Sequence, residues 1–248
     1  MRKIRKMLGF GGTADGLDRC VVELLSKANL GRPPVDALQV ASQLGMVVAV
    51  DRGQQARGRC ARVASPDARA AQAAILLRPE PRSERIQWTV AHEIGEHLMP
   101  DLLARLGGDG DDLGVHAREQ VANAFAGRLL TPTKWLRSTG TSCDWDLPTL
   151  KSTFTTASHE LLAQRMLDFD TPMVLAIYDH GAMTRRRTNC HSASFRTCAL
   201  ERDVRRRASE TGRPAEDCGD GLRVRAWPIH EPDWKREIVR IDLLCDDD

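Results

Sequence analysis

Histidine and glutamate side chains are concentrated in one short stretch, Ala91-His92-Glu93-Ile94-Gly95-Glu96-His97-Leu98. Side chains of these two types bind divalent metal ions and accept protons. The stretch is close to the H-E-x-x-H signature of zinc peptidases, but it departs from that signature at the last position. Glu93 follows His92 as the signature requires, whereas the second histidine, His97, comes one residue late and Glu96 stands in its place.

Helix geometry decides which of these side chains can meet at one ion. Successive residues of an α-helix are about 100° apart, so His92 and Glu96 share a face and one ion can bridge them. His97 lies about 140° away from His92 in the same regular helix. The two histidines can meet only if the helix absorbs one extra residue as a π-bulge, a rare distortion that concentrates at functional sites. Gly95 would ease it, because glycine has no side chain to clash.

Two ligand sets are therefore open, and both include Glu119 on the next long helix. The first set is His92, His97 and Glu119 on a bulged helix, and its two imidazoles suit Zn²⁺. In the second set Glu96 replaces His97 on a regular helix, and this more anionic site suits Mn²⁺ or Fe²⁺, with Zn²⁺ also acceptable. We favour the first set, because the second crowds several carboxylates around one dication and like charges repel.

The flanking sequence resembles the ImmA/IrrE family of metallopeptidases. The lead-in S-E-R-I-Q-W-T-V-A-H, residues 83–92, resembles that family's approach to its first ligand, with an aromatic residue four positions before the histidine. The segment E-Q-V-A-N-A-F-A-G-R-L-L-T-P, residues 119–132, is similar to the family's E-x-x-A-N-x-F-A-x-x-L-L-x-P helix, whose glutamate is the third metal ligand. Residues 34–48 resemble the family's N-terminal helix and first strand, and the resemblance covers roughly residues 18–170.

The fold class that we expect is α+β. The resemblance implies a zincin-like metallopeptidase core at residues 15–170, with helices packed on a small antiparallel sheet and a helix-turn-helix-like pair at residues 146–168. A small C-terminal α/β element follows at residues 171–248. The three strands expected in the core sheet are residues 46–50, 59–63 and 73–77, and the strands expected in the C-terminal element are residues 173–178, 183–188, 222–228 and 235–243.

The function implied by the resemblance is that of a metal-dependent endopeptidase, a hydrolase that cuts a protein substrate such as a DNA-binding repressor. In this mechanism Glu93 is the general base that takes a proton from water. Asn123, four residues after Glu119, is either a hydrogen-bond partner of a ligand or an ordinary buried amide. The alternative is a catalytically inactive regulator that keeps the peptidase fold and binds a transcription factor or DNA.

Composition sets limits on partners and location. The chain of 248 residues has a net charge of +2, so its overall charge does not favour nucleic acid, although arginine runs occur at residues 185–187 and 205–207. Its seven cysteines include no C-x-x-C pair, which argues against a disulfide framework and favours a reducing compartment. The basic N-terminus lacks an apolar core, and no stretch reaches about 18 apolar residues. We therefore expect a cytoplasmic protein without a membrane partner.

Overall fold

The computed structural model describes residues 12–63, 72–107, 114–190 and 196–244. The basic N-terminal segment and Cys245 lie outside these ranges. The chain divides into two compact units, one ending at Ser158 and the other beginning at His159. Within the described ranges, no helix is both long and apolar enough to cross a membrane, and the six cysteines are free thiols.

The first unit is mainly helical. Local contacts explain the bounds of the second helix. At its start, the Asp36 carboxylate accepts a hydrogen bond from the Leu38 amide at 2.9 Å. Just after its end, Gly45 has φ 71°, which a glycine adopts without strain. The helices are α1 (Gly12–Lys27), α2 (Ala37–Gln43), α3 (Ser83–His97), α4 (Met99–Arg105), α5 (Val115–Leu130), α6 (Thr133–Ser142) and α7 (Leu147–Thr153).

A small three-stranded sheet completes the first unit. Its strands are β1 (Val47–Val50), β2 (Gly58–Val63) and β3 (Gln72–Leu77), in the spatial order β1-β3-β2. The β2–β3 pair is antiparallel as expected, but β1 runs parallel to β3. β1 pairs with β3 and not with β2, which follows it in the chain. The chain reverses direction between β1 and β2 and again between β2 and β3, so β1 and β3 run the same way.

The two long helices α3 and α5 pack closely at Gly95. A Cβ atom on this residue would lie 3.0 Å from Cδ1 of Phe125 and 3.3 Å from both the Cα and the backbone oxygen of Ala122. Phe125 and Ala122 are fully buried on α5, as is Ile94 beside Gly95. The absence of a side chain at Gly95 thus lets the two helices approach, and this approach brings His92 and Glu119 together.

The second unit contains a five-stranded antiparallel sheet and two helices. Its elements are α8 (His159–Met166), β4 (Met173–Asp179), β5 (Ala182–Thr188), α9 (Ala199–Thr211), β6 (Ala215–Gly219), β7 (Leu222–Pro228) and β8 (Arg236–Leu243). The strand order is β5-β4-β8-β7-β6. Helix α9 packs on one face of the sheet, where Val204 and Ala208 contact Val174 and Ala176 of β4 and Val239 of β8.

The α+β class is confirmed, with two differences in the C-terminal part. Strand β6 was not expected from the sequence, because its residues A-E-D-C-G are polar or small and almost all exposed, so they carry no apolar alternation. The two helices of the expected helix-turn-helix-like pair, α7 and α8, belong to different units. That pair and the boundary near residue 170 remain predictions.

Candidate metal centre

Three side chains from α3 and α5 converge in the first unit. His92 and Glu96 are one turn apart on α3, and Glu119 lies in the second turn of α5. Each offers one donor atom, and these donor atoms all lie within 4.8 Å of one another. Their side chains are part-exposed, from 17% for His92 to 54% for Glu119. Water can therefore reach the group.

The spacing of His92 and Glu119 is that of two ligands of one ion. His92 Nε2 lies 3.6 Å from Glu119 Oε2. Two ligand atoms that each bind Zn²⁺ at about 2.1 Å with a tetrahedral angle are about 3.4 Å apart. One imidazole and two carboxylates are donors that divalent transition metals accept, so the residues present fit a divalent cation.

Asn123 holds both of these side chains in place. Its Oδ1 lies 3.2 Å from His92 Nδ1, and its Nδ2 donates to Glu119 Oε1 at 3.0 Å. With Nδ1 of His92 as the hydrogen-bond donor, Nε2 is left with its lone pair for an ion. A single amide thus orients the histidine and the glutamate. Asn123 is thus a hydrogen-bond partner of both His92 and Glu119, the two candidate ligands.

Glu93 lies on the side of α3 that faces strand β2. Only 8% of its surface is exposed, and its Oε2 accepts a hydrogen bond from the Cys60 amide at 2.7 Å. Burial raises the pKa of this carboxyl, while His92 and the Cys60 amide lower it by smaller amounts. A carboxylate with a raised pKa is a stronger base than an exposed one, which suits a group that must take a proton from water.

Strand β2 is close enough to α3 to hold Glu93 because residue 58 is glycine. A Cβ atom at Gly58 would lie 2.3 Å from Cγ2 of Thr89 and 3.0 Å from Oε1 of Glu93. Real Cβ atoms essentially never come as near as the first of these distances. The side-chain-free Gly58 therefore lets the Cys60 amide reach the carboxylate.

The structure places the two candidate second ligands differently. Helix α3 is a regular α-helix through His97, with no π-helical turn in this fully described segment. His97 is exposed, and among the described residues it does not belong to the group whose donor atoms meet. The physical reason is the packing at Gly95, which lies against α5 in a regular helical turn and does not form a bulge. Our preferred set with His97 is thus not the arrangement seen, and Glu96 takes that place.

Arg118 lies beside this group. Its Nη2 is 3.6 Å from Oε2 of Glu96. It directly precedes Glu119 on α5, so both residues come from one turn of that helix. Nothing in the spacing of Arg118 singled it out in the sequence, because its partner is on another helix.

Comparison with known proteins agrees with this geometry. Residues 41–167, just over half of the chain, match the IrrE N-terminal-like domain. The chain belongs to this family. The matched residues include α3 and α5, and so every residue of the candidate centre. No curated protein matches the chain.

A solved structure supports the fold over nearly the full length of this IrrE-like chain. It is described as a Mycobacterium tuberculosis transcriptional regulator, and the TM-score is 0.65 at 16% sequence identity. The match covers 97% of this chain and 80% of that one. At this identity the likeness concerns the fold alone.

Proposed function

We propose that the protein is a metal-dependent endopeptidase whose ion is held by His92, Glu96 and Glu119, with Glu93 as the general base. One observation carries the proposal: the buried carboxylate of Glu93, whose pKa burial raises, stands directly beside three side chains whose donor atoms could hold one metal ion. A divalent ion bound there would polarise water and stabilise negative charge on the substrate oxygen.

The residues of this chain supply the remaining steps. The Cys60 amide holds Oε2 of Glu93, so Oε1 is the oxygen that accepts the proton of the attacking water. Glu93 then delivers this proton to the leaving amine nitrogen. Asn123 keeps His92 and Glu119 in their orientations throughout. Because two of the three proposed ligands are carboxylates, we propose Mn²⁺ or Fe²⁺ as the preferred ion, with Zn²⁺ as the competitor.

The proposed substrate is a protein, of the class of transcriptional repressors. The family resemblance implies this class, and the structurally similar mycobacterial protein is described as a transcriptional regulator. The second candidate function is a regulator that keeps the fold without cutting proteins. The departure from H-E-x-x-H at Glu96 favours that candidate, because it removes one of the two usual imidazole ligands.

Direct nucleic-acid binding has less support. The arginine runs of the second unit are largely neutralised by their own neighbours. Arg186 pairs with the buried Glu201 at 2.7 Å, and Arg207 pairs with Asp217 at 2.8 Å. A surface that binds phosphates needs cations that are not already paired. Further pairs of the same kind are Arg185–Glu160, Arg205–Glu237 and Arg206–Asp203.

Two measurements test the proposal. Elemental analysis of the protein, as purified and after reloading with Mn²⁺, Fe²⁺ or Zn²⁺, should find about one ion per chain. Mass spectrometry of protein N-termini in a cell extract should then find new termini with the wild-type protein and none with Glu93→Gln, the matched control. A chain that binds no ion, or identical termini with both proteins, would favour the non-catalytic regulator.

A further inference from the structure

Arg118 is the positively charged side chain next to the candidate centre, and its partner is one of the proposed ligands. Its Nη2 lies 3.6 Å from Oε2 of Glu96. The guanidinium is 44% exposed and the Glu96 side chain 28% exposed, so both are also in contact with solvent. The inference that follows rests on the proposed function, because it concerns how the ion would be held.

The charge of the site needs compensation. Glu96 and Glu119 belong to the group of converging donor atoms, and Glu93 is three residues before Glu96 on the same helix, so three carboxylates surround one region. A dication offsets two of these charges, and the third remains. Arg118 adds one positive charge on the side of Glu96, so the loaded site becomes neutral with Arg118 and carries a net negative charge without it.

The geometry gives Arg118 a second role. A carboxylate has two oxygens, and the guanidinium contacts Oε2 of Glu96. An ion pair at one oxygen limits the positions of the Glu96 side chain and still allows the other oxygen to bind an ion. Removing a group that contacts a metal ligand without binding the metal itself typically weakens metal binding by about 10–100-fold.

We propose that Arg118 is a positioning residue that turns Glu96 into a usable metal ligand and neutralises the excess charge of the carboxylate site. Arg118 compensates for the imidazole that the helix does not bring to the ion. It does not touch the reacting atoms, and its effect on the ion runs through Glu96.

Metal affinity is the property that tests this role. Dissociation constants for Mn²⁺ and Zn²⁺ are measured by competition with a chromophoric chelator, for the full chain and for Arg118→Gln and Arg118→Lys. Arg118→Gln should bind Mn²⁺ at least about tenfold more weakly. Arg118→Lys keeps the positive charge but not the planar guanidinium group. Its affinity for Mn²⁺ should therefore lie between those of the wild type and Arg118→Gln.

A matched control separates this effect from a general loss of an arginine. Arg105 forms an ion pair with Glu23 at 2.7 Å, and both partners are part-exposed. Arg105→Gln should leave the affinity for Mn²⁺ unchanged. The melting temperatures of the metal-free variants should equal that of the wild type, which excludes unfolding as the cause.

The outcomes are distinct. Unchanged or tighter Mn²⁺ binding by Arg118→Gln, with normal binding by the wild type, would overturn the role of Arg118 and leave the proposed function standing. Tighter binding would mean that the guanidinium competes with the ion for Glu96. A wild-type chain that binds neither Mn²⁺ nor Zn²⁺ would overturn both the proposed function and the positioning role of Arg118.

Discussion

Asn123 and His92 are joined across the α3–α5 interface by a contact of 3.2 Å between Oδ1 and Nδ1. The same amide donates to Glu119, so one side chain orients residues from two helices. The contacts of Asn123 therefore fix the relative positions of two proposed ligands, and they give the first prediction.

Replacing Asn123 with alanine should weaken metal binding by about 10–100-fold, because His92 and Glu119 lose the group that orients them. The measurement is the dissociation constant for Mn²⁺ and Zn²⁺ by chelator competition. Gln120→Ala is the matched control, since Gln120 is an amide on the same helix whose side chain bonds to the exposed His116 instead. Equal affinities for the two variants would show that Asn123 has no orienting role.

The second prediction distinguishes the two ligand sets. Glu96→Ala should lose most of its bound ion, and His97→Ala should keep it, because His97 is exposed and points away from the group on a regular helix. Elemental analysis of both variants at equal protein concentration provides the comparison. The reverse result would mean that the helix rearranges to a bulge when it binds the ion.

The third prediction concerns the base. Glu93→Gln keeps the shape of the side chain and its hydrogen bond from Cys60, but it removes the group that accepts a proton. The variant should bind the ion with normal stoichiometry and cleave a substrate at least about 10²-fold more slowly. Single-turnover rates on a substrate identified by its new N-terminus are the test. A rate near that of the wild type would refute the assignment of Glu93.

The fourth prediction uses the contact of β2 with α3. Gly58→Ala places a Cβ atom 2.3 Å from Cγ2 of Thr89, so either strand β2 or the side chain of Thr89 must shift. Overpacking of this kind costs about 1–3 kcal/mol in the free energy of unfolding. Adding Thr89→Ser removes Cγ2 and should restore part of the loss. Urea denaturation of the single and double variants measures both effects, and a Gly58→Ala protein as stable as the wild type would contradict the close approach.

The fifth prediction is a pH dependence of the metal-free protein. Burial raises the pKa of Glu93 in the folded state, so the folded protein binds this proton more tightly than the unfolded chain does. Glu93 therefore destabilises the fold at neutral pH, and this cost disappears as the pH falls through the raised pKa. Glu93→Gln should be more stable than the wild type at pH 7.5 and nearly equal to it at low pH. Urea midpoints in the presence of a chelator measure the difference, and a difference that stays constant with pH would disprove this account.

Local sequence determined much of this protein. The strands β2, β3, β4, β5, β7 and β8 lie at or close to the segments predicted from the sequence. The residue types at 92, 93 and 119 led to the proposed chemistry of the site. These features depend on residues close together in the chain, and propensity and periodicity report such features well.

Only the tertiary structure placed the groups that depend on partners far apart in the chain. The choice between Glu96 and His97 rests on whether α3 is regular, and the contact of Gly95 with Ala122 and Phe125 on α5 favours the regular helix. The Cys60 amide at Glu93, the parallel β1–β3 pair and Arg118 at Glu96 likewise join distant segments. Periodicity within one element carries no information on which distant element will pack against it, so these contacts were decided by packing alone.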